Sequence, residues 1–243
     1  MDMKYGLRLA RVTLHMLQGL FTCALIFPWL QPAGRNVRIQ RWSRRLLRLC
    51  GVHVEVVGGV EALGHAMVVA NHISWLDIFV INALYPSRFV AKAEIREWPV
   101  LGKLVELAGT VFIARGSRRD LRAIFKGLVA SLHLGERVAF FPEGTTAQQG
   151  QLLPFHANLF EAAIDAKVPV QPFAIKYVCV HGLPHPSVDY VGEMTFVQSF
   201  KTVLRSSVIR AQLTCLPALP AEGAHRRELA QASQDAIAAA LAD

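Results

Sequence analysis

The sequence is short of charge. Only 18% of its 243 residues are Asp, Glu, Lys or Arg, against 53% hydrophobic, which excludes a disordered chain and a typical highly charged soluble protein. Its four cysteines, Cys23, Cys50, Cys179 and Cys215, stand far apart and form no CxxC pair. They offer no zinc framework and no reason to invoke disulfides, so a reducing compartment is the default. HExxH, a P-loop, GxGxxG and GxSxG are all missing, and with them the common signatures of zinc proteases, nucleotide binding and serine hydrolases. There is no internal repeat and no low-complexity tract. No small-residue cleavage site follows the first apolar stretch, and Pro28-Trp29 stands where one would be expected, which argues against a cleaved signal peptide.

What is present begins with length enough for one sizeable domain, or one domain and an appendage. A mean hydropathy of +0.33 suggests apolar surface that does not end in an ordinary core. Lys and Arg number 26 against 18 Asp and Glu, a net +8, with a pI near 9.7. That balance favours nucleic acid, anionic lipid or phosphorylated small molecules as partners.

The placement of the charge chooses among them. Residues 12–30, "VTLHMLQGLFTCALIFPWL", are nearly all apolar, close to the lower limit for a spanning helix. Next comes "GRNVRIQRWSRRLLRLC" (34–50). At about 100° per residue it places Arg38, Arg41, Arg44, Arg45 and Arg48 on one arc and Ile39, Trp42, Leu46, Leu49 and Cys50 on the next. A basic amphipathic helix beside an apolar one points to an anionic membrane surface and away from nucleic acid. Basic residues flank the apolar stretch on both sides, so the positive-inside rule orients it weakly. Residues 1–50 read as a two-helix surface anchor with both ends cytoplasmic, in preference to a spanning helix.

From residue 51 to 243 the texture is that of an α/β domain. Strands are expected at 53–58, 67–71, 88–92, 110–115, 137–142, 168–177 and 190–196. Helices are expected at about 75–84, 98–107, 117–133, 157–166 and 224–241. Alternation of this kind predicts a largely parallel central sheet flanked by helices. "HGLPHPS" (181–187) reads as a Pro-rich loop.

"NHISWLD" (71–77) follows the apolar run "AMVVA" (66–70), and strand ends are where open α/β sheets place their sites. Two readings stand side by side. In one, Ser74 and Asp77 form an S-x-x-D helix start and His72 is a loop histidine. In the other, His72 is a general base oriented by Asp77 and acting directly on a substrate hydroxyl. Histidine ordinarily titrates near pH 6.5 and a carboxylate fixes its tautomer. Free N–H groups at the helix start would face a developing oxyanion. A metal hydrolase would need a third ligand cluster.

Three further stretches accompany it in order: "GTVFIARG" (109–116), "FFPEGTT" (140–146) and "VPVQPFAI" (168–175). Together with N-H-x-x-x-x-D they resemble the four motifs of the lysophospholipid acyltransferase family, the glycerolipid acyltransferases akin to 1-acylglycerol-3-phosphate acyltransferase. The match covers about half the chain, from roughly residue 50 to 180. The resemblance implies transfer of a fatty acyl group from a thioester, acyl-CoA or acyl carrier protein, to a lysolipid hydroxyl at the cytoplasmic face of the inner membrane. It implies no cofactor beyond that co-substrate, and no metal. His72 would be the base and Asp77 its orienting partner. Arg115 would bind the acceptor's phosphate, with Lys92 as a second contact. Glu143, Gly144 and Thr145 would position the acceptor, and the "VPVQPF" block would shape a pocket.

Two positions depart from the pattern: Ala114 replaces a common acidic residue, and Thr146 replaces the arginine of E-G-T-R. Thr cannot supply that bidentate phosphate ligand. The acceptor implied is 1-acylglycerol 3-phosphate, with a lyso-ornithine lipid or another lysophospholipid as the alternative. A non-catalytic lipid-binding protein is the alternative from another class, and intact His72 and Asp77 speak against it.

Overall fold

The computed structural model describes residues 3–98, 100–113 and 118–242. Helix α1 (Met3–Phe21) continues through a π-helical stretch (Thr22–Ile26) and a 3-10 turn (Phe27–Trp29) to α2 (Pro32–Leu49). Then come β1 (Val52–Gly59), β2 (Met67–Ala70), α3 (Asp77–Leu84), β3 (Arg88–Lys92), α4 (Leu101–Leu107), β4 (Val111–Ile113) and α5 (Arg118–His133). The remainder is β5 (Val138–Phe140), α6 (Glu161–Ala166), β6 (Val170–Val178), α7 (Phe196–Arg205), β7 (Ile209–Cys215) and α8 (Arg226–Ala242).

The strands form one sheet in the order β1-β7-β6-β2-β5-β3-β4. Every neighbouring pair is parallel except β6 and β7, so the expected largely parallel sheet flanked by helices is present. Strand β2, "MVVA", is fully buried between β5 and β6, which is why it is apolar at consecutive positions. Pro172 lies in the central β6, where a missing N–H would ordinarily break a ladder. It is accommodated because β7 ends opposite Phe173, and beyond that point Pro172 needs only to accept, from Leu216 N at 2.9 Å.

One expected strand is wrong. Residues 190–195 form a loop containing a turn. Thr195 then caps α7 in a reciprocal capping box with Gln198. That T-x-x-Q signal outweighs the apolar character of "YVGEMTF". The late strand is β7 instead, whose residues alternate between buried and half-buried.

The N-terminal helices share the core of the sheet. Tyr5, Val12, Met16, Cys23, Phe27, Leu46, Leu47 and Cys50 belong to the same buried cluster as Val68 and Phe173. The apolar arc of α2 therefore faces the domain and not lipid. Trp42 stacks on His15 at 4.7 Å, and the two exchange hydrogen bonds: His15 Nε2 to Trp42 O at 3.0 Å and Trp42 Nε1 to His15 O at 3.1 Å. Gly19 allows this approach, since a Cβ there would lie 2.6 Å from Trp42 Nε1. Arg44 likewise fastens α2, donating to Ala83 O at 2.6 Å. Arg41, Arg45 and Arg48 remain exposed. On the outer side of the N-terminal run, Leu14 (67%), Phe21 (62%) and Trp29 (87%) face outward. The run Met3–Trp29, whose most apolar 18-residue window has mean hydropathy 1.4, is by length and composition enough to cross a membrane.

Candidate active site

His72 follows the last residue of β2 by two positions, and its place is fixed from three sides. Asn71 extends the pairing of β2 with β6 through its side chain, donating to Ile175 O at 3.0 Å and accepting from Ile175 N at 2.8 Å. The His72 N–H donates to Glu143 Oε1 at 2.7 Å, and its carbonyl accepts from Ala147 N at 2.8 Å. The imidazole stacks on Phe141 at 3.9 Å and 5°.

Asp77 opens α3 and is fully buried. Its Oδ2 accepts from His72 Nδ1 at 2.8 Å, Ile73 N at 2.7 Å and Ser74 N at 2.9 Å. Its Oδ1 accepts from the Tyr177 hydroxyl at 2.6 Å. Four donors offset the desolvation that a buried carboxylate otherwise suffers. Because the carboxylate only accepts, Nδ1 carries the imidazole proton and Nε2 is left with its lone pair. His72, 18% exposed at its side chain, turns that edge to a cleft.

The helix start differs from the S-x-x-D expectation. Ser74 caps nothing: its Oγ is buried without a partner among the described residues. Asp77 reaches back to the loop instead. The N–H groups of Ile73 and Ser74 are thereby occupied, and His72 N is held by Glu143, so none of these three is free for an oxyanion.

The cleft measures about 520 Å³. Ile78, Val90, Ile95, Trp98 and Ile113 form an apolar wall, while Lys92, Glu94, Thr145, Thr146 and Tyr190 supply polar groups. Lys92 and Thr145 thus both line the cleft. Gly144 also lines the cleft, at φ +67, with His156 3.3 Å from where a Cβ would sit. Glu143 does not reach the cleft. It is buried, and its second oxygen accepts from Leu153 N at 2.9 Å, so both carboxylate oxygens brace the loop behind His72. Burial pushes its carboxyl up, while the bonds from Leu153 and His72 pull it down. Arg115 lies outside the described residues.

Thr146, at the position of the motif arginine, donates its hydroxyl to Tyr190 O and ties down the loop before α7. No residue of the "VPVQPF" block lines the cleft; the strand supports the site from behind through Ile175 and Tyr177. Sequence reading gave Tyr177 and Asn71 no role. The only signal for Tyr177 was a polar-tipped aromatic closing an otherwise apolar strand, which by itself is an ordinary strand end.

Comparison with known proteins bears on this geometry. The family model described as Acyltransferase matches residues 52–176. The chain is 40% identical over 217 residues to 1-acyl-sn-glycerol-3-phosphate acyltransferase of Neisseria meningitidis, covering 87% of this chain and 84% of that protein. It is also 40% identical over 206 residues to lyso-ornithine lipid O-acyltransferase of Pseudomonas aeruginosa, covering 84% and 78%. The crystal structure of 1-acyl-sn-glycerophosphate acyltransferase PlsC from Thermotoga maritima superposes with a TM-score of 0.63 over 97% of this chain and 96% of that one. At 20% identity that likeness concerns the fold.

Proposed function

The chain belongs to the acyltransferase family, and from that premise we propose that it moves a fatty acyl group from a thioester to the free hydroxyl of a membrane lysolipid, 1-acylglycerol 3-phosphate being the favoured acceptor. The observation that carries this is an imidazole whose Nδ1 is held by a buried carboxylate at 2.8 Å while its other edge faces a mainly apolar cleft.

The steps follow from that arrangement. The acceptor hydroxyl lies against His72 Nε2 and loses its proton as its oxygen attacks the thioester carbonyl carbon. Asp77 stabilises the imidazolium that forms. The tetrahedral intermediate collapses, the carbon–sulfur bond breaks, and the departing thiolate takes the proton from His72. The products are an ester and a free thiol, and His72 is again neutral. The apolar wall holds chain methylenes, and Lys92 stands at the polar side for an anionic headgroup.

The N-terminal helices bring the site to its substrate. Burying a large apolar side chain contributes roughly 1.5–3 kcal/mol, so the outer residues Leu14, Phe21 and Trp29 supply several kcal/mol of interfacial binding. Arg38, Arg41, Arg45 and Arg48 add attraction to anionic lipid at the cytoplasmic face.

A second reading of the acceptor rests on Thr146. Its hydroxyl is committed to Tyr190 O, and the cleft carries Glu94 as well as Lys92. Charges of both signs suit the ammonium and carboxylate of a lyso-ornithine lipid. The test uses purified protein, long-chain acyl-CoA or acyl carrier protein as donor, and parallel acceptors. Reaction of lysophosphatidate supports the favoured reading. Reaction of lyso-ornithine lipid alone supports the second, and no reaction with any acceptor or donor refutes both.

A further inference from the structure

Asp77 is gripped by more than its partner in the N-H-x-x-x-x-D motif. Three donors converge on Oδ2, the oxygen that holds His72. The other oxygen, Oδ1, has one donor among the described residues: the hydroxyl of Tyr177, which arrives from β6, 100 positions later in the chain, at 2.6 Å. Tyr177 is fully buried and lines no part of the cleft, so it does not meet substrate.

Its backbone is held as firmly as its hydroxyl. Tyr177 N donates to Gln149 Oε1 at 2.9 Å, and Tyr177 O accepts from His185 N at 2.9 Å. Two residues earlier on the same strand, Ile175 is locked to Asn71. One strand thus sets both the residue before the imidazole and the far oxygen of the carboxylate behind it.

We propose that Tyr177 is a positioning residue for acyl transfer: its phenol fixes the plane of the Asp77 carboxylate and draws off part of its charge, and so tunes how tightly Asp77 holds the imidazole proton of His72. The proposal rests on the reading of His72 as the base. A hydrogen bond given to one carboxylate oxygen weakens what the other offers. Without the phenol, Oδ1 would be a bare anionic oxygen in a dry site, and the carboxylate would bind the imidazolium more strongly. Burial, reinforced by the charge of Asp77, pushes the phenol of Tyr177 well above its ordinary range, so it stays a donor throughout the assay range.

Among the described residues, the other ionisable groups around the pair are Glu143 behind the His72 backbone, and Lys92, Glu94 and Tyr190 along the cleft. They are unchanged in every variant below, so a displacement between variants belongs to position 177.

The experiment records kcat and kcat/KM against pH for the full-length parent, Tyr177→Phe, and protein carrying 3-fluorotyrosine at 177. Fluorination makes the phenol a stronger donor without removing it. Tyr177→Phe is expected to move the acid limb of kcat/KM upward by about 0.5 unit or more, a fraction of the roughly 1–3 units a whole neighbouring charge supplies. Its kcat should fall about tenfold because the carboxylate plane that aims the ring is no longer fixed, with acceptor KM little altered. The fluorinated protein should move the limb downward. A merely structural contact would move neither limb.

A Tyr177→Phe profile that superimposes on the parent, or two variants displaced in the same direction, overturns the inference. If Tyr177→Phe does not fold, the fluorinated protein decides: a downward limb supports the inference, and an unmoved or raised one overturns it. His72→Ala separates the layers. An inactive His72→Ala with unmoved Tyr177 profiles overturns only the role of Tyr177, whereas parental activity in His72→Ala overturns the base itself.

Discussion

Replacing Asp77 by Asn removes one charge and almost no volume. The amide oxygen can take the place of Oδ2 and accept from Ile73 N, Ser74 N and His72 Nδ1, while the amide nitrogen faces the Tyr177 oxygen, which can also accept. The ring is therefore held near its original place, and the variant isolates electrostatics. When the imidazolium forms, its nitrogen lies 2.8 Å from the carboxylate oxygen, which puts the charge centres about 4 Å apart; at an effective dielectric near 20 the attraction is about 4 kcal/mol. At about 1.36 kcal/mol per decade this corresponds to roughly a thousandfold in kcat. Because Asp77 is buried and does not line the cleft beside His72, KM for donor and acceptor should change little. Thiol release followed with a chromogenic disulfide at saturating acceptor measures kcat, and a melting curve checks the fold. A loss of less than about tenfold, in protein that melts like the parent, would refute the electrostatic role of Asp77.

Three further outcomes follow from other parts of the molecule. Replacing Arg38, Arg41, Arg45 and Arg48 by Gln, with Arg44 kept because it fastens α2, should weaken co-sedimentation with anionic vesicles by about tenfold or more and remove most of its salt sensitivity; binding equal to the parent on anionic and neutral vesicles would contradict it. Thr146→Arg should shift acceptor preference toward phosphate monoesters and, by removing the tie to Tyr190 O, loosen the loop before α7 to hydrogen exchange; unchanged preference would place position 146 away from the headgroup. Burial pushes the thiols of Cys23 and Cys50 up to about 11 and about 12, while Cys179 is only half-buried. Iodoacetamide at pH 8 should therefore modify Cys179 first, as peptide mapping would read, and early labelling of Cys50 would mean that α2 does not pack as described.

The strands that form the centre of the sheet were legible because burial on both faces leaves consecutive apolar residues, as in β2, and because β2 and β5 run into polar motifs. His72 with Asp77 was legible through its company: alone the pair also reads as a helix start beside a loop histidine, and the three further motifs in order favour the other reading. What escaped depended on contacts distant in sequence. Tyr177 reaches Asp77 across 100 positions, and no local pattern announces such a bond. Glu143 reads as a cleft residue from its motif, yet the nearness of His72 N and Leu153 N turns its carboxylate inward. Trp42 resembles an interfacial tryptophan, but Gly19 and His15 on α1 offer it a better partner. The strand expected at 190–196 is absent for a local reason: Thr195 and Gln198 form a capping box, and that cap outweighs the apolar run.

The claim on which everything else depends is that the His72 imidazole takes the proton of the acceptor hydroxyl. It is tested most directly by comparing acyl transfer by purified parent and His72→Ala protein at equal vesicle binding and equal melting temperature, with saturating thioester and acceptor. Turnover is expected to fall by about a hundredfold or more. Turnover within a few-fold of the parent would contradict it.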